Sequence, residues 1–304
     1  MNKKNIKLSV NTGFAVNRII DNETFVKFVK NNLNINYIQP TSDWLNLFMP
    51  KKYTLKNVNN LNRLLNKSNI KVNSCFTGAF TRLNHLAHPD KEQQKHWIKY
   101  FKNFIDLSID LGANYVGSHL GILSYEDNKK RNKILSERVI KNWHIIANYA
   151  EKKKLKSLIW EPMSISREQG ETVNECKKLQ KDVNINSPLP FKLCIDVDHG
   201  ELTSKNKNDI DPYFWLKTFA KDLKVVHLKQ SLKDKGGHWP FIEKYNKKGK
   251  IFPDKVINTL IDHGCENADL ILELSFRERN PIDKDALKNI KKSVKFWKKN
   301  KILN

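Results

Sequence analysis

A chain of 304 residues exceeds a usual single domain but fits one α/β barrel, and at 39% hydrophobic and 10% aromatic it can build a large core. No apolar run approaches the roughly 18–20 residues that span a bilayer, and the start, MNKKNIKLSVNTGF, has no signal-peptide stretch, so a cytoplasmic protein without a membrane partner is expected. The formal charge of +23 raises nucleic acid as a partner, but the lysines are spread over nearly every helix and loop, which favours ordinary solvation.

In chain order, IKLSVNTGF (6–14) predicts a first strand and TFVKFVKNNL a helix behind it. YIQPT (37–41) and KVNSCFTG (71–78) follow as strands, then KHWIKYFKNFIDLSIDLG as a helix. YVGSHLG (115–121) is the fourth strand, and the run 132–154 a long helix. SLIWEP (157–162), FKLCIDVDHG (191–200) and VVHLKQS (225–231) are the fifth, sixth and seventh strands. Pro253 opens a helix in FPDKVINTLIDHG that Gly264 closes, and LILELSF (270–276) is the eighth strand. The last basic run, KNIKKSVKFWKKNK (288–301), reads as a helix with a solvated lysine face and with Ile290, Val294 and either Phe296 or Trp297 turned inward.

Most of these strands are apolar without strict alternation, as parallel strands buried on both faces should be. Strand then helix, eight times over, predicts a (β/α)8 TIM barrel, and with no linker or composition break residues 1–304 are assigned to one domain. An open doubly wound sheet is disfavoured because no Gly-x-Gly-x-x-Gly follows the first strand. Cys75, Cys176, Cys194 and Cys265 form no Cys-x-x-Cys pair and read as reduced thiols.

Barrel chemistry sits at the carboxyl ends of the strands. Those ends read His119, Glu161, Asp196 with His199, His227 and Glu273, so five consecutive strands deliver metal-competent groups to one rim. Glu161, Asp196, His227 and Glu273 offer three carboxylates and an imidazole, a set that suits Mn²⁺ or Mg²⁺ foremost, with Co²⁺ or Zn²⁺ also compatible. His199, three residues past Asp196, can lean over such a metal without binding it.

The order Glu, Asp-x-x-His, His, Glu on strands five to eight resembles the xylose isomerase-like barrels, and within them the ketose 3-epimerases and sugar-phosphate isomerase/epimerases. TGAFTRLNHLAHPD (77–90), WEPMSISRE and HLKQSLKDKGGHWPF are similar to the erythrulose 1-phosphate 3-epimerase group. The resemblance implies one metal on Glu161, Asp196, His227 and Glu273, with Glu161 and Glu273 as acid and base and His199 on a substrate oxygen. It implies a small sugar or sugar phosphate as the partner, and a homodimer, since related barrels commonly pair. Free-ketose epimerases often carry a glutamate six residues after the first ligand and an arginine six after the metal-binding histidine; here those positions are Arg167 and Lys233. Arg167, Lys229 and Lys233 are therefore expected to share a terminal phosphate. Pairing of Arg167 with Glu168 or Glu171 is the plainer alternative.

In the implied reaction the metal stabilises an enediolate while one glutamate takes the proton from carbon 3 and the other returns one to the opposite face. An aldose–ketose isomerase needs only one shuttling base, so that alternative stays open. His119 and His85 are expected to touch substrate or support the ligands, with plain packing as the alternative, and the turn before Pro89 accounts for His88. Trp239 in GGHWPF is expected to act as a lid, Trp44 to pack within its loop, and Asp198 and Glu201 to stay outside the ligand set. A three-zinc apurinic-site endonuclease shares Asp-x-x-His and the later His and Glu, but DKGGHWPFIEKY lacks its Asp-x-His pair. A barrel that binds a sugar without turnover would be expected to have lost a ligand. A serine or cysteine hydrolase would need a Gly-x-Ser-x-Gly elbow, which is absent.

Overall fold

The computed structural model describes residues 5–83, 85–200, 203–232, 237–274 and 283–303. Nine parallel strand segments run through them: β1 Asn5–Asn11, β2 Tyr37–Gln39, β3 Lys71–Val72, β4 Ser74–Phe76, β5 Tyr115–His119, β6 Ser157–Glu161, β7 Phe191–Asp196, β8 Leu223–Leu228 and β9 Asn267–Leu272. Their order is β3-β2-β1-β9-β8-β7-β6-β5-β4. Only Asn73 separates β3 from β4, so the two ends of the row are chain neighbours. The Phe76 amide donates to the Pro40 carbonyl at 3.1 Å, which carries the pairing from β2 across to β4. The result is a nearly closed (β/α)8 barrel.

The predicted third strand, KVNSCFTG, is the one that splits. At the break, the Asn73 carbonyl accepts from the amides of Asn114 (2.8 Å) and Tyr115 (3.2 Å), while its side chain donates to Asp269 Oδ2 at 2.6 Å. A second irregularity lies between β7 and β8, where Leu193 faces Leu223 but Cys194 faces Val225. Lys224 is the extra residue of this bulge, and the slip sets Asp196 directly opposite His227. An unbroken register would have put the outward-pointing Val226 there.

The helices wrap the barrel because each buries one stripe at three- and four-residue spacing. Lys91–Asp110, capped by the Asp90 side chain, buries Trp97, Tyr100, Phe101, Phe104, Ile105 and Leu107. Asn132–Lys152 buries Leu135, Val139, Trp143, Ile146 and Ala150. The predicted TFVKFVKNNL helix is present but changes winding, from α-helical Asn22–Lys27 to a wider π-helical Phe28–Leu33. Pro253–Asp262 opens at its proline, and Gly264 just beyond it adopts φ +87°, the left-handed conformation expected of a helix stop. In Ala286–Trp297 it is Trp297, not Phe296, that turns fully inward beside Ile290 and Val294, while Lys288, Lys291, Lys292 and Lys295 are exposed. No helix among the described residues is long and apolar enough to cross a membrane.

Candidate metal and active site

Inside the barrel, Phe76, Ile159, Cys194, Val225 and Ile271 form an apolar floor. Two residues beyond Ile159, Cys194, Val225 and Ile271 the inward face turns polar. Period-two alternation therefore sets Glu161 above Ile159, Asp196 above Cys194, His227 above Val225 and Glu273 above Ile271. Glu273 lies just past β9, yet its amide still bonds the Leu228 carbonyl at 3.0 Å, so the ladder holds it in register. One ligand atom from each of these four residues lies within 4.8 Å of the other three.

His227 is fully buried, and its ring stands edge-on to Phe76 at 4.7 Å. Nε2 sits 3.0 Å from Gln39 Oε1, an acceptor, so that nitrogen carries the hydrogen. Nδ1 thus faces the carboxylates, 3.2 Å from Glu161 Oε1 and 3.7 Å from Glu273 Oε1. Gln39 is itself fixed by donating to Ser74 Oγ at 3.0 Å. Burial disfavours an imidazolium here, but the Glu273 and Glu161 charges outweigh it and raise the His227 pKa to about 9. Burial likewise works against ionised Glu273, yet Lys229 and His227 hold its carboxyl far below the usual range.

Lys229 corrects an expectation. Its side chain is 1% exposed, and its ammonium is engaged by Asp196 Oδ2 and, at 2.7 Å, by Glu273 Oε2, inside the ligand cluster. Because it stands two residues beyond His227, the alternation that finds Glu161 and Asp196 finds Lys229 too. Gln39, at the end of β2, is legible in the same way as the other strand ends.

His199 follows Asp196 in a tight turn, its amide bonding the Asp196 carbonyl at 3.2 Å. Its Nδ1 donates to the Pro162 carbonyl at 3.0 Å, which leaves Nε2 against Asp196 Oδ2 at 3.2 Å. His119 ends β5 beside Glu161, but its Nε2 bonds His85 Nε2 at 2.8 Å. His85 Nδ1 accepts from the Leu86 amide, so His85 is the donor of the pair, and its ring packs on Trp97 and Phe101. His85, fully buried, supports His119 and does not line the mouth. Burial, reinforced by Arg82, lowers the His119 pKa to about 3.

Arg167 adopts the plainer pairing, with Nη2 3.2 Å from Glu168 Oε1, while Arg82 Nη2 holds Oε2 of the same buried carboxylate at 2.5 Å. Trp239 departs from the lid expectation: it is 7% exposed and packs at a tilt against Tyr245, ring centroids 4.8 Å apart. His238 beside it is the residue of GGHWPF that turns to the cluster, its Nδ1 3.5 Å from the Glu273 carbonyl. Asp198 anchors that loop through Ser231 and the Gly237 amide. Trp44 packs on Phe25 and donates to Asn22, and His88 Nδ1 accepts from the Asp90 amide. Lys233 and Glu201 lie outside the described residues.

The donor set fits a divalent cation. Three carboxylates against the Lys229 ammonium leave two negative charges, which one such cation neutralises once His227 is deprotonated to serve as a ligand. The hard oxygens with a single imidazole suit a cation of intermediate hardness.

The model of the family described as the xylose isomerase-like TIM barrel matches residues 30–300. Over 295 residues, 96% of this chain and 95% of the other, the sequence is 37% identical to the D-erythrulose 1-phosphate 3-epimerase of Brucella abortus (strain 2308). A Rhodospirillum rubrum ATCC 11170 protein named for xylose isomerase superposes with a TM-score of 0.86 at 22% identity, covering 97% of this chain and 99% of that one. The D-psicose 3-epimerase of Clostridium cellulolyticum H10 superposes with a TM-score of 0.70 at 14% identity, over 96% and 98% of the two chains. Family match, long-range identity and barrel geometry agree, and the chain belongs to the xylose isomerase-like TIM barrel family.

Proposed function

We propose that this protein is a divalent-metal-dependent ketose 3-epimerase of the isomerase class, acting on a ketose phosphate of the tetrulose 1-phosphate kind. What carries the reading is a pair of glutamates flanking one imidazole, in a chain 37% identical to an erythrulose 1-phosphate 3-epimerase. Glu161, Asp196, His227 and Glu273 would hold the cation, Mn²⁺ or Mg²⁺ in preference to Co²⁺ or Zn²⁺. When bound, it would polarise the sugar's carbonyl and acidify the neighbouring C–H bond.

The chain's own residues do the rest. Glu161 and Glu273 come from strands separated by β7 and β8, which supports a two-sided exchange in which one removes the carbon 3 proton and the other delivers one to the opposite face. His199, its tautomer fixed by Pro162, presents Nε2 to the cluster and to a substrate oxygen. His119, steadied by His85, offers a second polar contact at the rim. Arg167 and Lys233 are assigned to the phosphate. Arg82, on the same carboxylate as Arg167, joins them, because a bound phosphate would compete with Glu168 for both guanidinium groups.

The test is proton exchange followed by NMR in D₂O, with metal-loaded and chelated protein and with phosphorylated and free tetruloses. Metal-dependent deuterium entry at carbon 3 with formation of the other epimer is expected, faster for the 1-phosphate. Glu161→Gln and Glu273→Gln should each lower turnover by roughly 10²–10⁴-fold. Exchange at carbon 1 with an aldose product would make the enzyme an isomerase instead. Inertness to every ketose, with cleavage of abasic DNA by zinc-loaded protein, would overturn the reading.

A further inference from the structure

His238 turns to the ligand cluster without belonging to it, and the loop that carries it is fixed on both sides. The Gly237 amide donates to Asp198 Oδ2, and the Trp239 carbonyl accepts the Gln230 amide at 2.8 Å. Gln230 is held in turn, its side chain donating to Asn246 Oδ1 at 2.9 Å and accepting the Ile251 amide at 3.0 Å. The Trp239 ring packs against Tyr245, and the Phe241 amide donates to the buried Ser293 Oγ at 2.9 Å. A Cβ on Gly237 would stand 2.5 Å from Nε1 of that packed indole, so the turn needs its glycine. Between these anchors the His238 side chain is presented to the Glu273 carbonyl, 3.5 Å from Nδ1.

The half-buried ring stands within electrostatic reach of Asp196 and His199 at the end of β7, Lys229 just past β8 and Glu273 just past β9. Because a carbonyl only accepts, the neutral ring carries its hydrogen on Nδ1 and Nε2 is left an acceptor. Among the described residues Nε2 has no hydrogen-bond partner. Such an acceptor calls for an O–H or N–H from whatever fills the cleft. His119 is its opposite: Nε2 accepts from His85, so the hydrogen of His119 sits on Nδ1, which donates. The two imidazoles therefore read different groups.

A tetrulose 1-phosphate offers a phosphate, a carbonyl oxygen and hydroxyls on carbons 3 and 4. The arginines answer the phosphate, and the cation site with His199 answers the oxygens on carbons 2 and 3. The carbon 4 hydroxyl is the group left over, and it is a donor. Resting on that reading of the cleft, we infer that His238 Nε2 accepts a hydrogen bond from the carbon 4 hydroxyl and selects substrates that carry it. The contact makes and breaks no covalent bond; it holds carbon 3 in place before Glu273. A methyl group in place of the hydroxyl leaves Nε2 out of water and unpaired, which is how a polar pocket rejects an analogue of similar size.

The test gives metal-loaded, full-length protein a tetrulose 1-phosphate and its 4-deoxy analogue, which ends in a methyl group, and follows deuterium entry at carbon 3. Wild type should favour the hydroxyl-bearing substrate in kcat/KM by roughly 10²-fold or more. His238→Ala should erase most of that preference. His238→Gln, whose amide oxygen can accept in place of Nε2, should restore part of it. A ring that only shapes the loop would slow both substrates alike, and a preference kept at its wild-type value in His238→Ala would overturn the inference. If neither variant folds, the ¹⁵N resonance of His238 Nε2 in Mg²⁺-loaded wild type decides without a substitution. It should move upfield when the tetrulose 1-phosphate binds and stay in place with the deoxy analogue, and equal shifts would overturn the inference. Exchange of both substrates by wild type at equal kcat/KM would overturn it alone and leave the epimerase reading standing. No carbon 3 exchange with either substrate would overturn both.

Discussion

A histidine can meet a metal through either ring nitrogen, and what decides between them in His227 is Gln39. Its amide oxygen, 3.0 Å from Nε2, makes that nitrogen the hydrogen-bearing one and turns Nδ1 toward Glu161. The anchor continues to Ser74, so the ring orientation is set from β2 and β4 while the carboxylates come from β6, β7 and the end of β9. Removing such a partner from a metal-ligating histidine typically costs about 10–100-fold in affinity. Gln39→Leu should therefore weaken Mn²⁺ binding by about that factor, measured by electron paramagnetic resonance titration. Gln39→Glu, whose carboxylate still accepts from Nε2–H, should recover most of it. Equal losses in both variants would mean that Gln39 matters only as packing.

At the scale of an element, the stretch CIDVDHG shows how a strand is stopped and aimed. β7 ends as Asp196 Oδ1 accepts the Asp198 amide at 2.8 Å and the Asp196 carbonyl accepts the His199 amide. Gly200 then takes φ +126°, where a Cβ would stand 2.0 Å from the Asp209 carbonyl oxygen. Asp209 is not free to yield, since its side chain holds the Val173 amide and Ser204, and its carbonyl holds Trp215. Gly200→Ala should cost roughly 1–3 kcal/mol from the backbone conformation alone. The clash adds to that, and His199 should shift with the turn. A urea midpoint unchanged from wild type would show that the turn relaxes freely.

The strands were legible in the sequence because burial on both faces makes them continuous apolar runs, and the site because polar groups end five of those runs in step. Glu161, Asp196, His227 and Glu273 converge as their positions imply. What stayed hidden has a common physical cause, namely contacts made across the barrel between residues far apart in sequence. No local pattern marks the break at Asn73, which side chains of Asn114 and Asp269 satisfy. The β7–β8 slip is equally silent. In the same way, it is Glu273, 35 residues further along the chain, that His238 approaches from the loop beside Trp239.

On the scale of the whole molecule, the carboxylates fall into two environments that charge counts cannot separate. Around the candidate site they are compensated by Lys229 and His227. Four residues before Glu273 on the same chain, at the other end of the barrel, Asp269 is 3% exposed and receives Asn73 Nδ2 at 2.6 Å. Burial raises its pKa to about 6 despite that hydrogen bond and the nearby Lys7 and Lys224. For an acid with a folded pKa above its unfolded value of 3.8, the neutral form is favoured by folding. The penalty is absent below the unfolded pKa, grows between the two values and is fully present above about 6. At about 1.4 kcal/mol per unit, it reaches about 3 kcal/mol at most. Asp269→Asn keeps an acceptor for Asn73 and removes the charge. It should unfold at higher denaturant than wild type at pH 8, with the advantage fading as pH falls through 6 toward 4. Because both proteins share every other titrating group, the difference between their stabilities isolates this one carboxylate. A gain independent of pH would assign the effect to packing, and a loss at pH 8 would mean that the ionised carboxylate, held by Asn73 and the two lysines, is part of what closes the barrel.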